Sequence, residues 1–87
     1  MDRKIKDSDI FVGKFFTEKR IEHRYTQEQV CDILSINRST FCRYERGSRG
    51  IPFSVMKKLC KLYHLDFYDT IVYLDKELEK QGLIMYE

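Results

Sequence analysis

Thr26-Gln27-Glu28-Gln29-Val30-Cys31-Asp32-Ile33-Leu34-Ser35-Ile36-Asn37-Arg38-Ser39-Thr40-Phe41-Cys42-Arg43-Tyr44-Glu45-Arg46-Gly47 carries the strongest local signals in the chain. Thr26 and Gln29, three positions apart, form the capping-box pattern, in which each side chain bonds the other's backbone N–H. The pattern predicts a helix over 27–34 that buries Val30, Cys31 and Leu34. Ser35-Ile36-Asn37 leaves room only for a tight turn, and Asn37 is a strong N-cap for the next helix, predicted over 38–46. In that helix only Phe41 and Tyr44 are large and apolar, so a narrow buried stripe stands beside a broad polar face.

Upstream, Phe11, Val12, Phe15, Phe16 and Ile21 recur at near-helical spacing and predict a first helix over 8–23, capped by Ser8 or Asp7. Downstream, Gly47 to Pro52 is the one Gly- and Pro-rich stretch and reads as a loop. Val55, Met56, Leu59, Cys60, Leu62 and Tyr63 then give an amphipathic fourth helix over 53–63. Asp66 with Asp69 opens a fifth over 67–80, with Phe67, Ile71, Leu74 and Leu78 as its inward stripe and Gly82 as its stop. The chain thus reads as one all-α domain of five helices, residues 1–82, followed by an apolar tail, 83–87. Tyr68, Val72 and Tyr73 form a second apolar set on the fifth helix, more than one small core can cover. Because exposed apolar clusters mark interfaces, Tyr68, Val72, Tyr73, Leu83, Ile84 and Tyr86 are expected to hold two copies together. The alternative is that the tail folds back over its own core.

With 87 residues, the chain buries only about 60–65% of its unfolded surface, so a second core is excluded. Its 43% apolar and 34% charged residues suit a globular domain rather than a disordered one. No apolar run approaches the roughly 20 residues of a membrane span. The first nine residues lack the apolar core of a secretory signal, and the cytoplasm is the expected location. Cys31, Cys42 and Cys60 lack Cys-x-x-Cys spacing and are expected to be buried free thiols. His23 and His64 are far apart in sequence, without ligand-spaced partners, and read as helix-end or surface residues; no metal or cofactor is expected. No nucleophile and base, paired carboxylates or phosphate-cradling glycine loop is apparent, so an enzyme is not expected. The net charge of +2 hides a gradient: residues 26–65 carry seven Lys or Arg against three acidic residues, and residues 66–87 carry two against six. That asymmetry points the middle of the chain at a polyanion and its end away from it.

Two short helices about a three-residue turn, the first apolar and the second polar, make a helix-turn-helix pattern. A helix about 10–12 Å across fits the major groove of DNA, and it enters only if one side is anchored by packing while the other stays free. Thr26 to Gly47 also resembles the lambda-repressor-like, or Xre, family of phage and bacterial regulators, and the similarity extends more weakly from about Val12 to Leu74. The Thr-Gln start, the Ser-Thr-Phe stretch and the Tyr-Glu-Arg-Gly end occur together at the family's spacing. Ser35 and Arg24 depart from it, standing where relatives usually have Gly.

The resemblance implies a five-helix lambda-repressor-like domain that binds double-stranded DNA, with the second helix as brace and the third as reader. It assigns Arg38, Ser39 and Arg43 to base edges, the arginines pairing with guanine; phosphate contacts or solvated charges are the alternatives for both. It assigns Gln27 to a phosphate, against ordinary first-turn solvation. Asn37 caps the reader and is a phosphate contact as well; Thr40 and Cys42 flank the reading face, Thr40 as a further backbone contact. Arg46 and Arg49 match positions that grip the backbone, with Lys57 or Lys58 extending that grip. Arg20 and Glu45 match a structural ion pair between the first helix and the reader. The expectation is therefore a transcriptional regulator acting as a homodimer. An antitoxin or adaptor that uses the same fold to hold a protein partner is the alternative.

Overall fold

The computed structural model describes residues 5–83, and every regular element among them is a helix: α1 (Asp7–Glu22), α2 (Gln27–Leu34), α3 (Arg38–Arg46), α4 (Phe53–Leu62) and α5 (Phe67–Lys80). The capping box of α2 is complete. Thr26 Oγ1 accepts from the Gln29 N–H at 3.1 Å, and Gln29 Oε1 accepts from the Thr26 N–H at 2.8 Å. Asn37 Oδ1 accepts from the amides of Ser39 (2.9 Å) and Thr40 (3.4 Å), and Asp66 Oδ1 from that of Asp69 (2.9 Å). The start of α1 differs from expectation. Its N-cap is Lys6, without a side-chain cap bond, and Ser8 is buried with its hydroxyl unpartnered among the described residues. Asp7 and Asp9 lie in the first turn instead, where carboxylates meet the positive end of the helix dipole. Both α1 and α4 end one residue before the expected boundary.

All five helices stop by one device. Arg24, Ser35, Gly47, His64 and Gly82 take left-handed conformations, with φ between 55° and 77°. The next residue then returns its N–H to a carbonyl of the last turn: Tyr25 to Arg20, Ile36 to Cys31, Ser48 to Arg43, Leu65 to Cys60 and Leu83 to Leu78, at 2.8–3.1 Å. This is the Schellman closure, which satisfies carbonyls the helix leaves free. Arg24, Ser35 and His64 each accept about 1 kcal/mol or more of left-handed strain that glycine would avoid. Packing holds them there, because Tyr25, Ile36, Leu65 and Leu83 are all partly buried against the core. The left-handed His64 was not anticipated from sequence.

The core gathers one stripe from each helix, with Phe16, Val30, Phe41, Leu59 and Leu74 each 1% exposed or less. Helix α1 crosses the C-terminal half of α3 at Gly13, where a Cβ would lie 2.5 Å from the Tyr44 carbonyl oxygen and 2.7 Å from that of Glu45. Only hydrogen fits there. The same crossing explains Gly47, whose Cβ would lie 2.4 Å from Ile10 Cα. Some expected core positions turn out differently. Ile21 is exposed, and Leu34 and Cys42 are only half-buried; Cys31 and Cys60 are buried, all three thiols being free. Burial pushes the Cys31 and Cys60 thiols above their ordinary range. His23 and His64, distant in sequence, come together because α1 and α4 end side by side; their rings are 5.7 Å apart, and His23 stacks on Tyr63 at 5.8 Å. Of the expected interface residues, Tyr68, Val72 and Tyr73 are exposed, while Leu83 turns back and packs partly against the core. Ile84 and Tyr86 lie outside the described residues.

Candidate nucleic-acid interface

A helix advances by about 100° per residue, so the side chains of α3 can be placed around its axis. Tyr44, Phe41 and Glu45 fall within one arc of about 100°, and all three are buried. Arg38, Cys42, Arg46, Ser39 and Arg43 fall within the adjoining arc of about 140°. There Arg38, Ser39, Arg43 and Arg46 are exposed, and Cys42 is half-buried. Cys42 therefore lies inside this arc rather than beside it. Thr40, half-buried, lies at its edge. The exposed arc begins at a capped N-terminus: Asn37 Oδ1 takes the two backbone donors already described and also the Ser39 hydroxyl at 2.8 Å. Ser39 keeps its oxygen lone pairs for an incoming donor, and Asn37 keeps its amide NH₂.

The buried arc holds the tilt of α3. Arg20 Nε donates to Glu45 Oε2 at 2.8 Å, and Arg20 Nη1 donates to the Tyr25 carbonyl at 2.7 Å. Gln27 Nε2 donates to Glu45 Oε1 at 2.8 Å. Both carboxylate oxygens are thus occupied, one from α1 and one from the first residue of α2. With the Glu45 side chain 6% exposed and that of Arg20 14%, neither charge is left unpaired in the interior, which is the condition a buried pair must meet. Gln27 contributes to this brace; one of its two amide N–H bonds is given to Glu45.

Beyond α3 the chain bends into a cleft of about 590 Å³ lined by Arg43, Ser48, Arg49, Gly50 and Pro52. Arg49 lies over the Tyr44 ring, 6.0 Å from its centroid, a cation–π contact that steadies a loop cation without neutralising it. Ile51, 5% exposed, anchors the loop, so the backbone of residues 48–50 is held against the end of α3. Ser48, Gly50 and Pro52 were not singled out from sequence. Nothing in a loop's composition shows which side it will face. Lys57 and Lys58 are exposed on the following helix, and Lys57 lines a separate apolar groove. Among the described residues no three His, Cys, Asp or Glu side chains are placed to hold a metal ion. None of the described helices is long and apolar enough to cross a membrane.

The surface is thus a short, capped, cationic rod, fixed from behind and open in front. A family model described as a helix-turn-helix domain matches residues 12–68. No curated protein matches the chain.

Proposed function

Because this chain belongs to the helix-turn-helix domain family, we propose that it is a sequence-specific regulator of transcription that reads the major groove of double-stranded DNA with α3. The observation that carries this reading is the division of α3 into a buried arc tied to α1 and α2 and an exposed arc holding Arg38, Ser39 and Arg43. A rod anchored in this way presents guanidinium groups to base edges at a fixed tilt, and two arginines reading guanines discriminate by about 1–3 kcal/mol each. Arg46 at the C-terminal end of the arc, and Arg49, Asn37, Gln27 and Thr40 around it, serve as phosphate contacts, which set register and supply salt-dependent affinity. No cofactor or catalytic step enters this role, and its place of work is the cytoplasm.

The test is selection of bound duplexes from a random pool, run in parallel with Arg43→Ala. The wild type should enrich one motif, and the variant should lose preference at one base pair while retaining weak, salt-sensitive binding. Enrichment of no motif by the wild type would overturn specific readout. An adaptor role would show differently: binding to a protein partner would survive Arg38→Ala combined with Arg43→Ala, and operator binding would not.

A further inference from the structure

The chain has two histidines, and the fold sets them side by side: His23 caps the C-terminus of α1, and His64 follows the C-cap of α4. Their ring centres lie 5.7 Å apart, the planes at 48°, and both residues are exposed. His23 lies within 17° of parallel to the Tyr63 ring, and Tyr63 is buried, so one imidazole rests on a fixed base. The other projects from the left-handed turn that closes α4, where Leu65 returns its N–H to the Cys60 carbonyl at 2.8 Å. Among the described residues neither imidazole gives or takes a hydrogen bond, which leaves the nitrogens open to a ligand. We propose that His23 and His64 together chelate a divalent transition-metal cation of the zinc class, fastening the end of α1 to the end of α4.

The spacing suits chelation. Neutral imidazole binds zinc through a ring nitrogen at about 2.0–2.1 Å, which puts the cation about 3.2 Å from each ring centre. A tetrahedral angle at the cation then sets the two ring centres about 5.2 Å apart. The observed 5.7 Å is wider by about half an ångström. Small changes of χ1 close that gap, and the broad χ2 of histidine turns a nitrogen toward the cation. Charge favours a cation here too, because the free carbonyls at a helix C-terminus carry about half a negative charge and two such ends lie together. Among the described residues no third His, Cys, Asp or Glu is placed to join the pair, so solvent completes the shell. Exposed Arg24 and Lys61 are close in the chain and oppose a dication, whereas Glu22 and Asp66, also exposed, favour it; Glu22 shares its charge with Lys19 at 3.4 Å. Two ligands in such surroundings set an affinity on the order of 1–100 μM.

Ligand chemistry narrows the occupant. Imidazole suits zinc, copper and nickel, whereas magnesium and calcium take oxygen ligands. The bound cation acts on the fold from behind α3. His23 lies between Arg20 and Tyr25 in the chain, and Arg20 bonds both the Tyr25 carbonyl (2.7 Å) and Glu45 of α3 (2.8 Å). A cation shared with His64 therefore pins the turn that carries the Glu45 partner. Its binding requires nothing of DNA, so the site and the regulator reading stand or fall separately.

The test is a zinc chloride titration of the untagged chain, followed by proton NMR of the imidazole rings and by calorimetry. Ring signals of both histidines should move together as zinc rises from about 1 μM to about 1 mM, with one cation bound per chain. Magnesium chloride over the same range should move neither. His23→Gln and His64→Asn, the latter keeping a residue type that tolerates the left-handed turn, should melt as the wild type does without metal. Each should bind zinc at least roughly tenfold more weakly, and the double variant should lose little more than either alone, as a shared cation requires. Ring signals that stay still at about 1 mM zinc, or that move for one histidine only, overturn the proposal. So does zinc bound as tightly by either variant as by the wild type, which would assign the metal to the thiols.

Discussion

The Glu45 carboxylate lies inside a helix whose other face is cationic, and it takes one hydrogen bond from Arg20 and one from Gln27. Each donor comes from a different helix, so this one acid ties three elements together. Next to it Tyr63 is 1% exposed, with its hydroxyl unpartnered among the described residues. Burial and then the nearby Glu45 charge push its phenol well above the ordinary range. A phenol whose folded pKa is raised keeps its proton in the folded chain while the unfolded chain releases its own near pH 10. The stability it contributes is therefore intact below about pH 10 and lost as pH rises from there toward the higher folded value. Tyr63→Phe removes a buried hydroxyl that has no partner, so it should match or exceed the wild type by about 1 kcal/mol at pH 7 and should flatten the part of the alkaline decline that begins near pH 10. Thermal melts from about pH 7 to pH 11 check this. A variant that is weaker at neutral pH and declines as before would mean the hydroxyl is bonded in solution.

Between elements, the decisive contact is the crossing of α1 over α3. Its closeness depends on Gly13, because a methyl there would press on two backbone carbonyl oxygens that cannot swing aside. Overpacking of this kind costs typically 1–3 kcal/mol, against a gain of up to about 1 kcal/mol from alanine's helix propensity. Gly13→Ala is expected to destabilise the fold by about 1–2 kcal/mol, a fall in Tm of roughly 4–8 °C per kcal/mol for a domain of this size. It should also weaken DNA binding, since the displaced α1 carries Arg20. A calorimetric scan of the variant with unchanged Tm would show that the crossing relaxes freely. At Ser35 the opposite holds: its left-handed backbone is strained by its own Cβ and is kept by the packing of Ile36.

At the scale of the molecule, the two ends of the charge gradient lie on different surfaces. The basic residues Arg38, Arg43, Arg46 and Arg49 are exposed on α3 and the following loop, whereas the acidic residues Asp69, Asp75 and Glu79 are exposed on α5. Affinity for DNA should therefore fall steeply with salt. Each phosphate contact contributes about 0.9 to the slope of log K against log salt. Arg46→Ala should lower that slope by about one contact's share and weaken binding to all sequences alike, while Arg43→Ala should alter which sequence is preferred. Titrations at three or more salt concentrations on matched and mismatched duplexes separate the two. An Arg46 variant with wild-type slope would remove that residue from the phosphate contacts.

Helix existence and most helix limits were legible in the residues themselves, because caps and apolar spacing are local. Thr26 with Gln29, Asn37, and Asp66 with Asp69 each mark a helix start within four residues, and those three starts appear where they were expected. Ser8 misled because a serine beside an apolar run is equally suited to being buried, and only packing distinguishes the two. The Arg20 and Glu45 pairing was suggested by resemblance alone; no periodicity relates residues on separate helices. Tertiary structure decided the rest: that Gln27 turns toward Glu45, that His23 meets His64, that Leu83 folds inward, and that Phe53 joins Tyr68 at one groove. Each of these depends on where two helices come to lie against each other. That placement is set by the sum of many weak contacts across the core, and no short stretch of sequence encodes it.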